Sequence, residues 1–143
     1  ALKGRRQATA AAAMFNELGL VPDAIWCSAA LRTRQTLELV SGKLDQPAPV
    51  SYLAELYTAR VRDLIDMVKD AGAAQTLLVV GHEPIMSATA ALLANEDSDQ
   101  GAYQQARVGV PTACFMVLES ELPWDQWDSR SVALTMLGRP VVD

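Results

Sequence analysis

The fold class follows from one stretch of the chain, Thr76-Leu77-Leu78-Val79-Val80-Gly81-His82-Glu83-Pro84. Its first five residues form an apolar run that predicts a strand, the strongest in the sequence. Pro84 suits the first turn of a helix, and apolar residues at helical spacing continue from there to about Ala94. A buried strand that leads directly into a helix is the repeating unit of α/β proteins.

The same order of elements occurs earlier in the chain. Residues 24–28 are a short apolar run, which fits a strand buried on both faces of a parallel sheet, and helical spacing follows from Leu31 to about Gly42. Further helices are predicted over 5–18 and 60–71, and further strands over 50–53, 113–118 and 131–137. The pattern therefore predicts one α/β domain over residues 1–143, which begins unusually with a helix.

Two segments outside this pattern are predicted to be structural: an acidic segment and a pair of tryptophans. Residues 95–105 are polar and acidic, so we expect a mobile surface loop there, and the sequence leaves open whether it closes over a pocket. Trp124 and Trp127 lie between the last two predicted strands, where we expect them to cover the edge of the core.

Charge and composition exclude several classes of function. The 143 residues contain 12 Lys and Arg against 17 Asp and Glu, a net charge of −5, which argues against non-specific nucleic-acid binding. No apolar run approaches the roughly 18–20 residues of a membrane span, and the first residues do not resemble a signal peptide. Cys27 and Cys114 lie in apolar runs without metal-ligand spacing, so we expect free, buried thiols in a reducing, cytoplasmic compartment.

The first candidate site follows the strand at 24–28. Ligands of parallel α/β sheets bind beyond the carboxyl ends of the strands, near the N-termini of the helices that follow. Here the helix carries Arg32 and Arg34 in its first turn, where cations oppose the helix dipole. An anion bound there would use both the arginine and the free N–H groups, although either arginine alone could also be a solvated or ion-paired surface residue.

The second candidate site contains His82, the only histidine of the sequence. It follows the strand at 76–80, and Gly81 before it permits close backbone approach. A lone histidine is often structural, but this position faces the edge where a ligand would bind. If Arg32 and His82 converge, they form a phosphate site in which the arginine makes bidentate contacts and the histidine donates or accepts a proton.

These two stretches, Cys27-Ser28-Ala29-Ala30-Leu31-Arg32-Thr33-Arg34-Gln35-Thr36 and Val79-Val80-Gly81-His82-Glu83-Pro84, resemble the histidine phosphatase superfamily and specifically its SixA-type phosphohistidine phosphatases. The resemblance covers nearly the whole chain. It extends to four further segments, which are residues 2–8, Glu55-Leu56-Tyr57, Val110-Pro111-Thr112-Ala113 and Pro123-Trp124.

The resemblance implies a fold and a chemistry. The implied fold is the α/β, three-layer, phosphoglycerate mutase-like one, with a mainly parallel sheet flanked by helices. The implied reaction is phosphate hydrolysis through a phosphohistidine enzyme intermediate, with no metal and no cofactor. By position, Arg32 matches the phosphate-clamping arginine and His82 the second active-site histidine, whereas Arg34 should point elsewhere. Glu55 is expected to be a loop carboxylate and not a proton donor.

One family motif is absent from the sequence. The family's nucleophile is a histidine in an Arg-His-Gly motif after its first strand. The 143 residues contain neither that motif nor that strand. We therefore expect the first strand and the catalytic loop to lie outside these residues.

Three functions are compatible with this sequence. The leading one is a phosphatase of signal transduction that acts on phosphohistidine in a protein or on a related small phosphorylated molecule, with neither nucleic acid nor membrane as partner. The first alternative is a non-catalytic phosphate- or phosphoprotein-binding module, or an inactive fragment. The second is a small-molecule phosphatase or mutase of the same superfamily.

Overall fold

Three parallel strands form the part of the sheet that carries the candidate site residues. The structure is a computed structural model that describes residues 2–142. Its strands β1 (Ala24–Ser28), β2 (Val50–Leu53) and β3 (Leu77–Val80) lie in the order β2-β1-β3. Cys27 of the central strand is in register with Tyr52 on one side and Val80 on the other. The carboxyl ends of all three strands therefore lie at one edge.

Two antiparallel strands form a second, separate sheet. They are β4 (Phe115–Glu119) and β5 (Ala133–Gly138), with an irregularity in register between Val117 and Leu118. Within residues 2–142, no strand pairs with the outer edge of β3 or with the edge of β4 that faces away from β5.

Helices cover both faces of these strands. They are α1 (Leu2–Leu18), α2 (Leu31–Ser41), α3 (Glu55–Thr58), α4 (Val61–Lys69), α5 (Ile85–Leu93) and α6 (Gln100–Val108), with a 3-10 turn at Trp124–Gln126. On one face, Phe15 of α1 and Val40 of α2 pack with Leu78 and Phe115. On the other face, a cluster that includes Ile65 of α4 and Leu93 of α5 takes up Val79, Leu118 and Trp127. This arrangement confirms the predicted α/β fold.

The prediction of a loop over 95–105 is wrong for its second half, because α6 begins at Gln100. Asp99 caps the helix, since its carboxylate accepts a hydrogen bond from the Ala102 N–H at 2.9 Å. Ala102 and Ala106, four residues apart, are buried with Leu134 of β5. The buried residues of this helix are alanines, which are only weakly hydrophobic. The spacing of apolar residues that predicts a helix is therefore difficult to detect among the polar residues of this segment.

Two smaller expectations also need correction. Cys27 is buried as predicted, whereas Cys114 is half-buried and precedes β4, which begins at Phe115. Both thiols are free, and burial raises the pKa of each. Glu55 is not in a loop but begins the short helix α3.

No helix among residues 2–142 combines the length and the apolar character needed to cross a membrane.

Candidate active site

The turn after β3 holds His82 close to the start of α5. The Met86 N–H donates to the His82 carbonyl oxygen at 3.1 Å, so the backbone of this turn is tied to the helix that follows. Gly81 lies close to this helix, since a Cβ at this position would lie 2.7 Å from the Met86 Sδ atom and the methionine side chain would have to move. The glycine lets the turn lie against the helix, and the half-buried His82 side chain is thereby placed at the carboxyl edge of the sheet.

Ser28, the last residue of β1, meets His82 at this edge. The Ser28 Oγ atom lies 2.8 Å from the His82 Nε2 atom, and the tautomer of the imidazole decides which of the two donates. The Ser28 side chain is completely buried. Its carbonyl oxygen accepts a hydrogen bond from the Thr33 hydroxyl of α2 at 2.9 Å. The ends of β1 and β3 and the first turn of α2 therefore form one connected unit.

Arg32 lies in the first turn of α2, four residues after Ser28, and its side chain is exposed. Its backbone carbonyl oxygen accepts from the Thr36 hydroxyl at 3.1 Å, whereas its guanidinium group forms no hydrogen bond or ion pair with His82 or with any other part of the chain from 2 to 142. The structure thus places the two predicted site residues at the same edge, where Ser28 contacts His82 and bonds to Thr33, the residue after Arg32. Arg34 points away toward β2, where its Cζ atom lies 4.8 Å from the centroid of the Tyr52 ring.

Tyr57 of α3 is a further residue beside the histidine. Its ring centroid lies 5.4 Å from that of His82, with an angle of 58° between the ring planes. The neighbouring Leu56 is buried in the core, which fixes the position of this one-turn helix. Glu55 of the same helix is exposed.

Glu83 joins the histidine turn to the segment that precedes β4. Its carboxylate accepts hydrogen bonds from the Ser87 N–H at 2.9 Å and the Ser87 hydroxyl at 2.5 Å. It also accepts a longer one from the Val110 N–H at 3.4 Å. Because Glu83 follows β3 and Val110 precedes β4, the end of β3 and the start of β4 lie at the same edge.

The sequence pattern alone predicts no role for Ser28 or Glu83. The available signal for Ser28 was its position, since it is a small polar residue at the carboxyl end of a buried strand. No sequence signal indicated the contact between Glu83 and Val110. Among residues 2–142 there is no group of three or more His, Cys, Asp and Glu side chains that could hold a metal ion.

Comparisons with known proteins agree with this architecture. Residues 2–57 match the model of the histidine phosphatase superfamily, branch 1. An uncharacterized protein of Mycobacterium tuberculosis is 36% identical over 114 residues, which are 78% of this chain and 70% of that protein.

Two solved structures are also similar. A protein from Nakamurella multipartitia, provisionally named phosphohistidine phosphatase SixA, has a TM-score of 0.80 and 32% identity, with 96% of this chain and 82% of that one covered. The protein histidine phosphatase SixA in complex with tungstate has a TM-score of 0.78 and 17% identity, over 98% and 83% of the two chains, and so shares the fold. The chain belongs to the histidine phosphatase superfamily, and its relatives there are the SixA-like proteins.

Proposed function

We propose that the intact protein is a phosphatase that hydrolyses phosphohistidine, on a protein or in a related phosphorylated molecule. The observation that carries the proposal is the 2.8 Å contact between Ser28 and His82 at the edge where the helix of Arg32 begins. This edge brings a cation, an imidazole and the N–H groups of a helix start to one location, which suits a phosphoryl group.

In the proposed reaction, the P–N bond of the substrate breaks and its phosphoryl group passes to a histidine of the enzyme. The leaving imidazole takes up a proton, and water then attacks the enzyme-bound phosphoryl group to release inorganic phosphate. Arg32 neutralises the charge on the phosphoryl oxygens, and His82 stabilises the transition state by hydrogen-bonding to them. In our proposal these steps need neither a metal nor a cofactor.

The nucleophilic histidine of this proposal lies on an additional strand between β3 and β4. Leu78 of β3 and Phe115 of β4 pack against the same cluster around Phe15. Val79 and Leu118, from the same two strands, pack into the cluster on the opposite face. β3 and β4 thus pack into the same two core clusters, one on each face, but they form no ladder with each other within residues 2–142. This arrangement supports a position for one more strand between them. Its carboxyl end would lie beside His82.

The carboxyl edge of the sheet is open at Arg32 and His82, so a histidine on the surface of another protein can reach these two residues. We therefore favour a phosphorylated protein as the substrate. We further propose a role in signal transduction in the cytoplasm. The two free cysteines support a reducing compartment.

The test is a comparison of Arg32→Ala with Arg34→Ala in the full chain that the gene encodes. The assay measures phosphate release from phosphohistidine, with tungstate as a phosphate-like inhibitor. We expect Arg32→Ala to lower kcat/KM by roughly 10²- to 10³-fold and to weaken inhibition by tungstate. The matched variant Arg34→Ala should stay within about threefold of the wild type, because its side chain lies over Tyr52.

Full activity of Arg32→Ala would contradict the proposal. Tungstate binding that depends on Arg32 without any turnover, in a gene product that lacks an Arg-His-Gly segment, would indicate a non-catalytic phosphate-binding module. Faster hydrolysis of sugar phosphates than of phosphohistidine would indicate a small-molecule phosphatase or mutase.

A further inference from the structure

The side chain of Tyr57 lies beside the site and is not part of the hydrophobic core. It is 64% exposed, whereas the residue before it, Leu56, is 5% exposed and belongs to the main core cluster. The Tyr57 hydroxyl bonds to no other residue between 2 and 142, although its backbone N–H donates to the Ala54 carbonyl at 3.0 Å. The backbone at Tyr57 is therefore fixed while most of the ring faces solvent.

Among residues 2–142, the one aromatic ring that the Tyr57 ring contacts is that of His82, at 5.4 Å between centroids and 58° between planes. Aromatic pairs prefer offset or edge-to-face arrangements with centroids about 4.5–7 Å apart, and this pair falls within that geometry. One part of the Tyr57 ring thus contacts the imidazole that we assign to the phosphoryl group. The exposed part is free to contact whatever group carries the phosphoryl into the site.

We infer that Tyr57 is a specificity-determining residue whose exposed ring packs against a planar aromatic leaving group, namely the imidazole of an N-phosphorylated substrate. This inference rests on the proposed function. An alkylamine or ammonia leaving group has no ring to stack, so the contact discriminates by the shape of the leaving group. In each case a P–N bond breaks, the leaving nitrogen takes up a proton, and water supplies the oxygen of the released phosphate.

The experiment compares phosphohistidine with phosphoramidate, which has the same type of P–N bond but releases ammonia. The full gene product is assayed as wild type, Tyr57→Phe and Tyr57→Leu. We expect Tyr57→Leu to lower kcat/KM for phosphohistidine by about 3- to 10-fold and that for phosphoramidate by less than about twofold. Tyr57→Phe keeps the ring and should preserve the ratio of the two values.

The matched control is Tyr52→Leu, an exposed tyrosine whose ring lies beneath Arg34 and not beside His82. It should leave the ratio of the two kcat/KM values unchanged. Equal losses for both substrates in Tyr57→Leu would show that the ring only supports His82 or the fold, and unchanged activity on phosphohistidine would show that it contributes nothing. Either result overturns the inference while the phosphatase proposal stands. A wild-type protein that hydrolyses neither substrate would overturn both.

Discussion

The Ser28 hydroxyl and the His82 imidazole are 2.8 Å apart although 54 positions separate them in the chain. Their contact follows from the parallel pairing of β1 with β3, which brings Cys27 into register with Val80 and the two strand ends to one edge. Because Ser28 is buried and its carbonyl oxygen is bonded to Thr33, its hydroxyl is a fixed partner for the histidine.

The substitution Ser28→Ala should remove the hydrogen bond that holds the His82 imidazole in position. A neutral hydrogen bond contributes about 0.5–1.5 kcal/mol, so we expect a loss of about 2- to 12-fold in kcat/KM. The sequence contains one histidine, so His82 gives the only imidazole signals from residues 1–143. Their ¹⁵N shifts should change from one dominant tautomer to a mixture. The matched control is Ser98→Ala, another buried serine, whose hydroxyl accepts from the Leu134 N–H far along the chain. Unchanged ¹⁵N shifts in Ser28→Ala would contradict the positioning role.

Substitution Glu83→Gln should loosen the connection between the histidine turn and the start of β4. The amide places an N–H₂ group where the carboxylate accepts from Ser87 and Val110, so at least one of these donors loses its acceptor. We expect a loss of about 1 kcal/mol in the free energy of unfolding, together with faster amide hydrogen exchange at residues 109–112. The exposed Glu121→Gln is the control and should change neither quantity. Wild-type exchange rates in Glu83→Gln would show that the segment is held by other contacts.

Acid should destabilise the protein partly through Asp128. Its carboxylate accepts from the Lys69 Nζ atom at 2.9 Å and from Arg62 at 3.0 Å. Hydrogen bonds from Lys69, the Ser129 N–H and Arg62 lower the pKa of this carboxyl group well below its ordinary value of 3.8. Because the folded-state pKa is the lower one, the stabilisation is fully present above the unfolded-state pKa and is lost as the pH falls toward the folded-state value.

The measurement for Asp128 is the urea midpoint between pH 6 and pH 2 for the wild type and Asp128→Asn. We expect the variant to be less stable near pH 6 and the difference to shrink as the pH falls. Asp97→Asn serves as the comparison, because the Asp97 carboxylate forms no hydrogen bond or ion pair with residues 2–142. A difference between wild type and Asp128→Asn that is constant with pH would show that the ion pairs do not contribute through titration.

Substitution Gly138→Ala should disturb the contact between the second sheet and α1. The pairing of β4 with β5 places Gly138 opposite Phe115, and the Phe115 ring occupies the space that a Cβ at position 138 would need. That ring also meets Phe15 of α1 edge-on, at 4.6 Å between centroids. We expect a loss of about 1–3 kcal/mol in stability, measured by urea unfolding.

The control for this substitution is Gly101→Ala in α6. A Cβ at position 101 meets no atom closer than the Asp99 Oδ2 at 3.5 Å, so this change should be neutral or stabilising. A second variant, Phe115→Leu combined with Gly138→Ala, should recover part of the stability. Equal stabilities of Gly138→Ala and the wild type would show that the Phe115 ring moves aside without cost.

Local pattern was sufficient to predict most elements, because buried strands such as residues 24–28 are continuous apolar runs bounded by turn residues. It failed for α6, whose buried face consists of small alanines. It also could not predict the contact of Ser28 with His82, because that depends on strand register, which no local pattern encodes. The neighbourhood of Tyr57 and His82 depends in turn on how Leu56 packs into the core. Arg32 and His82 can therefore be chosen as candidates from the sequence, whereas the contacts around them require the tertiary fold.

The two unpaired strand edges have a consequence for the behaviour of these residues in solution. β3 and β4 are apolar, and their N–H and C=O groups on the facing edges form no ladder among residues 2–142. Such edges are templates for intermolecular sheet growth. At high concentration, residues 1–143 should aggregate through these edges, and a synthetic strand that pairs with β3 or β4 should suppress the aggregation.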